Sequence, residues 1–128
     1  MSMNQFTLGL IQMRCEAEPR ANLDKAVARI EQAAKSGADV ICLPELFRSQ
    51  YFCQREDPAL FELAEPVPGP TTETLAAVAR KCGVVVIAPV FERRAAGVYH
   101  NSAAILDADG RTAGLYRKMH IQIGRAHV

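Results

Sequence analysis

Glu45 is a candidate general base because of its position in the sequence. It lies in residues 43–47 (LPELF), directly after a short apolar run that predicts a buried parallel strand. Ligands bind at the carboxyl ends of the strands in open α/β sheets. A carboxylate walled by Leu46 and Phe47 would be partly desolvated, which can tune it for proton transfer. The alternative is that Glu45 caps a turn or pairs with a surface arginine, and the spacing alone favours neither.

Lys118 is a second candidate and lies in residues 116–120 (YRKMH). Strand alternation places Lys118 on the same face as Tyr116 and His120, opposite to Arg117. A lysine held in a site can place positive charge where an oxyanion develops. An exposed, charged edge strand explains the same residues, and spacing alone favours that interpretation. His120 is interpreted as a hydrogen-bonded strand residue rather than a catalyst.

Two further segments have less specific patterns. Residues 99–102 (YHNS) open an otherwise apolar strand, and we interpret Asn101 as a structural residue that satisfies buried backbone groups or orients a loop. Residues 51–53 (YFC) either line a pocket or anchor a long loop to the core, and the sequence does not separate these two possibilities.

The composition is that of a soluble globular domain. The chain has 128 residues, of which 49% are hydrophobic and 23% are charged, and its net charge is +1. Charges of both signs are interleaved, so no basic field is predicted that would attract nucleic acid or an anionic membrane. No apolar run approaches the roughly 20 residues of a membrane span, and residues 1–7 lack a signal-peptide layout. We therefore expect a cytoplasmic location.

The four cysteines do not form a pattern that binds metal or builds a disulfide framework. They stand at Cys15, Cys42, Cys53 and Cys82, without a CxxC pair. Cys42 and Cys82 fall within apolar segments, where we expect each to pack as a small hydrophobe.

Hydrophobic periodicity predicts an α/β fold with a mixed sheet. Helices are predicted from Pro19 to a stop at Gly37, and from a cap at Thr71 or Thr72 to a stop at Gly83. Residues 47–70 read as a long loop. Strands are predicted at 6–13, 39–43, 84–90, 99–106 and 111–119, the last two forming an antiparallel pair around a turn at 107–110.

The C-terminal residues do not continue these elements. Residues 122–128 (QIGRAHV) have no periodicity. Residues 123–128 are also the peptide that one reading frame of a widely used sequencing adapter encodes. We predict that 122–128 is a non-native read-through tail, and a genuine short C-terminus is the alternative.

Several of these motifs together resemble the nitrilase superfamily of carbon–nitrogen hydrolases. They are LPELF at 43–47, YHNSAAILDADG at 99–110 and YRKMHI at 116–121. Residues 51–73 and 91–101 are more similar still to its N-carbamoylputrescine amidase branch. The resemblance implies that residues 1–121 are the N-terminal portion of one hydrolase domain, an α-β-β-α sandwich whose mixed sheet carries the helices of this chain on one face.

The resemblance also implies roles for individual residues. The family uses a glutamate, a lysine and a cysteine, so Glu45 corresponds to the base and Lys118 to the cationic stabiliser. The family places the cysteine downstream of the lysine, whereas all four cysteines here precede Lys118. We therefore expect the parent protein to be active and this chain to be inactive by itself.

The implied reaction is hydrolysis of N-carbamoylputrescine in polyamine synthesis, with a small carbamoyl-amine substrate, no metal or organic cofactor, and a homo-oligomeric parent. One alternative is another amidase of the superfamily, acting on a different N-carbamoyl compound or an ω-amide. A non-catalytic α/β module is the other alternative, but the GxGxxG and GxxxxGK loops of nucleotide-binding domains are absent.

Overall fold

The predicted alternation of strands and helices is present in the chain. A computed structural model describes residues 4–50, 52 and 57–120. Its elements are β1 (Leu8–Leu10), α1 (Pro19–Lys35), β2 (Val40–Cys42), a 3-10 helix (Pro58–Leu63), α2 (Pro70–Cys82), β3 (Val85–Ala95), β4 (Val98–Leu106) and β5 (Thr112–Arg117). The 3-10 helix lies in the segment predicted as a loop, and β3 extends five residues beyond its predicted end.

The strands form one mixed sheet in the order β1-β2-β3-β4-β5. β1, β2 and β3 are parallel, whereas β3, β4 and β5 pair antiparallel. The predicted α/β fold is therefore confirmed. β3 lies in the interior of the sheet, as the nearly continuous apolar run from Val84 to Val90 predicts.

Local sequence signals account for the ends of the helices. Pro19 opens α1, where its missing N–H costs nothing, and Gly37 follows the helix with a φ of 99°. The predicted cap of α2 at Thr71 or Thr72 is wrong. Gly69 is the cap, because Pro70 already occupies the first helical position, and Thr72 Oγ1 instead accepts a hydrogen bond from the Gly69 N–H at 2.8 Å.

Both helices cover the same face of the sheet. Their buried apolar side chains pack on alternate residues of the strands; the cluster includes Leu23, Ala26 and Ile30 of α1, Leu75, Val78 and Ala79 of α2, and Ile41, Val86, Ala88, Ala104 and Leu106 of the sheet. Cys82 is partly buried and packs against this core as predicted. Cys42 is also partly buried but does not pack on the core, since it belongs to the opposite set of strand residues.

The opposite face of the sheet is open over much of its area. Strand register assigns to it Leu8, Leu10, Ile87, Ile105 and Tyr116. Leu8 and Leu10 are 57% and 76% exposed, and no helix of the described residues packs on them. The two α-helices thus cover one side only, as expected for this fold, while the 3-10 helix packs at one end of the opposite face.

Some predictions concern residues outside the described part of the chain. These are the read-through tail at 122–128, together with Tyr51 and Cys53, and the tail stays a prediction. None of the helices that the structure describes has the length and apolar content needed to cross a membrane.

Candidate active site

Glu45 and Lys118 meet at one end of the open sheet face. The Lys118 Nζ lies 3.1 Å from the Glu45 Oε1. Glu45 follows β2 at its carboxyl end, and Lys118 is the residue directly after β5. The structure thus brings together these two candidate residues, which are far apart in sequence. Their catalytic roles remain a prediction.

A strained turn orients Glu45. The next residue, Leu46, has a φ of 51°, a left-handed conformation that residues with a Cβ rarely adopt. Leu46 and Phe47 are both buried in the protein interior. Burial of these two side chains holds the turn, because relaxing the backbone would withdraw them from the core.

The expectation that Leu46 and Phe47 wall off the Glu45 carboxylate is wrong for this chain. These two side chains turn inward and anchor the turn, and the Glu45 side chain is 44% exposed. In the described residues, therefore, the carboxylate faces solvent at the open face.

Asn101 forms hydrogen bonds with both Glu45 and Lys118. Its side-chain Nδ2 donates to the Glu45 Oε1 at 2.7 Å, and its main-chain carbonyl accepts from the Lys118 N–H at 2.8 Å. Our interpretation of Asn101 as a purely structural residue therefore missed a contact with the candidate base. The sequence alone does not reveal this contact, because it depends on the register of β4 in the sheet.

A second ion pair lies on the other face of the sheet, one residue before Lys118. Arg117 donates from Nε and a terminal guanidinium nitrogen to the two carboxylate oxygens of Glu92, each at 2.8 Å. The Ser102 hydroxyl also donates to Glu92, at 2.8 Å. The hydrogen bond from Arg117, aided by that from Ser102, lowers the pKa of the buried Glu92 carboxyl. This pair fixes the end of β5 from which Lys118 projects.

Polar contacts also hold the segment after Glu45. Arg48 pairs with Glu65, whose carboxylate accepts hydrogen bonds from the Thr71 N–H at 2.8 Å and hydroxyl at 2.7 Å. The buried Asn22 donates to the Arg48 carbonyl at 2.9 Å. The segment is thus tied to both α1 and α2.

An aromatic cluster lies next to Asn101. Phe91 stands opposite Asn101 in the β3–β4 pair. Its ring centroid is 4.9 Å from that of Phe52 and 5.7 Å from that of Tyr99, and Phe61 of the 3-10 helix packs against both Phe91 and Tyr99. Phe52 therefore packs against the sheet, which agrees with anchoring, one of the two possibilities that the sequence left open.

The described cysteines contribute no nucleophile to this site. Cys15, Cys42 and Cys82 are free, and none makes a hydrogen bond to Glu45 or Lys118. Burial raises the pKa of the Cys15 thiol, which keeps it in the less reactive protonated form. Within the described residues, no group of three or more His, Cys, Asp or Glu side chains is arranged to hold a metal ion.

Comparison with known proteins identifies the family. The profile of the carbon-nitrogen hydrolase family matches residues 7–127. The chain belongs to this family, the nitrilase superfamily that the motifs around Glu45 and Lys118 predict.

Individual relatives match along nearly the whole chain. An N-carbamoylputrescine amidase of Solanum lycopersicum is 39% identical over 92% of this chain and 39% of its own length. A citrullinase of Francisella tularensis is 37% identical over 95% of this chain and 43% of its own length. The chain thus spans about two fifths of the length of these curated relatives.

A solved structure has the same fold. The crystal structure of a carbon-nitrogen hydrolase from Helicobacter pylori G27 superposes with a TM-score of 0.86 at 37% identity, over 93% of this chain and 41% of that one. The strand order and one-sided helix cover described above are therefore those of a carbon–nitrogen hydrolase fold.

Proposed function

We propose that the protein to which this chain belongs hydrolyses N-carbamoylputrescine to putrescine, carbon dioxide and ammonia. The contact between Glu45 and Lys118 is the observation that carries the proposal, since a carboxylate that could serve as a base lies beside an ammonium group at the carboxyl ends of β2 and β5. Similarity to N-carbamoylputrescine amidases supports the choice of substrate.

In the proposed reaction, Glu45 takes the proton of a cysteine thiol, because only the thiolate is an effective nucleophile. The sulfur adds to the carbamoyl carbon and the carbonyl electron pair moves to oxygen. Lys118 stabilises this oxyanion: its ammonium group has three donors, and its contact with Glu45 uses one.

Collapse of this intermediate breaks the carbon–nitrogen bond. Glu45 returns its proton to the departing amine, which leaves as putrescine, and the carbamoyl group remains on sulfur. Glu45 then deprotonates a water molecule that attacks the carbamoyl carbon. The thiol is released together with carbamic acid, which decomposes to carbon dioxide and ammonia.

The nucleophile is assigned to a cysteine downstream of Lys118. The family order of base, lysine and cysteine supports this, as does the absence of a described cysteine bonded to Glu45. We propose that the 128-residue chain alone is inactive, since a base and an oxyanion stabiliser without their nucleophile leave the attack to water.

Ammonia release by the full-length gene product tests the proposal. The substrates are N-carbamoylputrescine, citrulline and an ω-amide. We expect the highest kcat/KM for N-carbamoylputrescine, and a loss of about 10²–10⁴-fold in the Glu45→Gln variant, which keeps the shape of the side chain but cannot act as a base. Preference for another substrate would refute the assigned specificity. Undiminished activity of Glu45→Gln, or turnover by the 128-residue chain, would refute the assigned site.

The similarity to a citrullinase favours one second candidate, an amidase for a different N-carbamoyl compound. Citrulline carries the same carbamoyl group on a different amine, so the same site chemistry applies to it. The substrate panel separates the two candidates directly. A role in polyamine synthesis and a homo-oligomeric state belong to the proposal and follow from the family resemblance. The cytoplasmic location, which is expected from the sequence pattern, also belongs to the proposal.

A further inference from the structure

The two oxygens of the Glu45 carboxylate have different surroundings. Asn101 Nδ2 donates to Oε1 at 2.7 Å, and Lys118 Nζ contacts the same oxygen at 3.1 Å. No described residue donates a hydrogen bond to Oε2. One oxygen is therefore bound by two donors, while the other is left for a new partner.

We propose that Asn101 is a positioning residue that fixes the plane of the Glu45 carboxylate and directs Oε2 to exchange the proton. This inference rests on the proposed function of Glu45 as a base. Asn101 acts through Glu45 and touches neither substrate nor nucleophile.

The chemistry of an amide suits this task. Asn101 is buried, so its side chain has little freedom, and its hydrogen bond to Glu45 is partly shielded from water. The amide is neutral and orients Glu45 without adding a second positive charge, which would hold the carboxylate in its ionised form and weaken it as a base.

The main chain of Asn101 positions the other member of the pair. Its carbonyl accepts the Lys118 N–H at 2.8 Å, which continues the β4–β5 pairing one residue beyond the end of β5. A single residue thus sets the distance between the candidate base and the candidate oxyanion stabiliser. Substitution of its side chain should disturb Glu45 and leave the backbone contact to Lys118 in place.

Kinetics of Asn101→Ala and Asn101→Asp in the full-length gene product test the proposal. The assay uses whichever amide of the substrate panel is hydrolysed. We expect kcat of Asn101→Ala to fall by about 10²-fold, the scale of a misplaced reacting group, with KM changed by no more than about threefold. Asn101→Asp keeps the shape but replaces the donor with an acceptor, so its kcat should fall further at neutral pH.

The pH profile distinguishes positioning from a general loss of structure. The activity of Asn101→Asp relative to wild type should rise as the pH falls, because a protonated carboxyl regains a donor facing Glu45. Asp39→Ala is the control: Asp39 accepts a hydrogen bond from the Thr7 N–H at 2.8 Å at the other end of β2. Loss of this hydrogen bond should lower Tm and leave kcat per folded molecule unchanged.

Two kinetic results would overturn the positioning role. One is a loss of kcat in Asn101→Ala that is no larger than the loss in Asp39→Ala. The other is an activity of Asn101→Asp, relative to wild type, that does not change with pH. A second readout needs no activity. The side-chain amide proton resonances of Asn101 should shift upfield in Glu45→Ala, which removes the acceptor, and unchanged resonances would overturn the role. Shifted resonances in a protein that hydrolyses none of the amides would refute the proposed function alone.

Discussion

Two carboxylate–cation pairs occupy opposite faces of the sheet, and they are built differently. Glu92 and Arg117 form two parallel hydrogen bonds, and Glu92 is only 2% exposed. Glu45 and Lys118 share one contact, with side chains 44% and 39% exposed. Arg117 and Lys118 are neighbours in sequence, so strand alternation alone sends them to opposite faces.

The difference indicates different uses. A two-pronged arginine–carboxylate pair with a third donor from Ser102 satisfies the carboxylate and leaves little capacity for a ligand. The Glu45 pair keeps one carboxylate oxygen and two ammonium hydrogens available at an open face. The first pair therefore fixes the end of β5, and the second can engage a substrate. Substitutions in the Glu45–Lys118 pair should therefore mainly reduce activity, whereas substitutions in the Glu92–Arg117 pair should mainly reduce stability.

Among Lys118→Met, Glu92→Gln and Lys81→Met, the largest expected effect is on activity, in Lys118→Met. Removing one well-placed oxyanion donor should lower kcat by about 10²–10³-fold. Unfolding free energy should change by about 1 kcal/mol or less, because the pair is partly solvent-exposed. Steady-state kinetics and thermal unfolding of the full-length gene product measure both effects. A matched loss of activity in Lys81→Met, on an exposed helix face, would contradict a specific role for Lys118.

The positions of Glu45 and Lys118 could be predicted because local signals mark them. Pro44 ends an apolar strand just before Glu45, and alternation along residues 116–120 separates Lys118 from Arg117. A short strand followed by proline, and a polar strand end, are readable without knowledge of tertiary contacts. Family resemblance then supplied their proposed roles.

The roles of Asn101 and Glu92 could not be predicted in this way. Each depends on strand register: Asn101 stands opposite Phe91, and Ser102 stands opposite Arg117. A register shift between Arg93 and Ala95 in the β3–β4 hairpin helps set this alignment. Sliding the pairing by one residue would reverse the face of every side chain. The sequence pattern does not fix that register.

The second-largest expected effect, after that of Lys118→Met, is a loss of stability in Glu92→Gln. The substitution removes the buried charge and turns an amide N–H toward the Arg117 guanidinium, so two donors face each other. We expect a loss of about 1.5–3 kcal/mol in unfolding free energy, the range for hydrogen bonds to a charged group. Activity per folded molecule should change less than in Lys118→Met. Urea unfolding monitored by circular dichroism measures the loss.

Acid pH should reduce the difference between wild type and Glu92→Gln. The pKa of Glu92 is lowered from its ordinary value of 4.5 by the Arg117 hydrogen bond. The stability that this carboxylate contributes is therefore fully present above about pH 4.5 and is lost as the pH falls through the lowered pKa. A stability difference that stays constant from neutral pH through this acid range would contradict the assignment.

The smallest expected effect is on thermal stability, in Lys81→Met. This substitution removes an ion pair between the two α-helices. Lys81 Nζ lies 2.9 Å from Glu31 Oε2, and the two side chains are 72% and 37% exposed. Their mutual hydrogen bond raises the pKa of Lys81 and lowers that of Glu31. Water nevertheless screens the pair, so the loss of Tm should be smaller than in Glu92→Gln.

Salt should distinguish the two pairs. In about 1 M salt, where the Debye length is about 3 Å, the difference in Tm between wild type and Lys81→Met should disappear, while that between wild type and Glu92→Gln persists. Thermal unfolding at low and high salt checks this, and a salt-independent loss in Lys81→Met would show that solvent exposure does not separate these pairs.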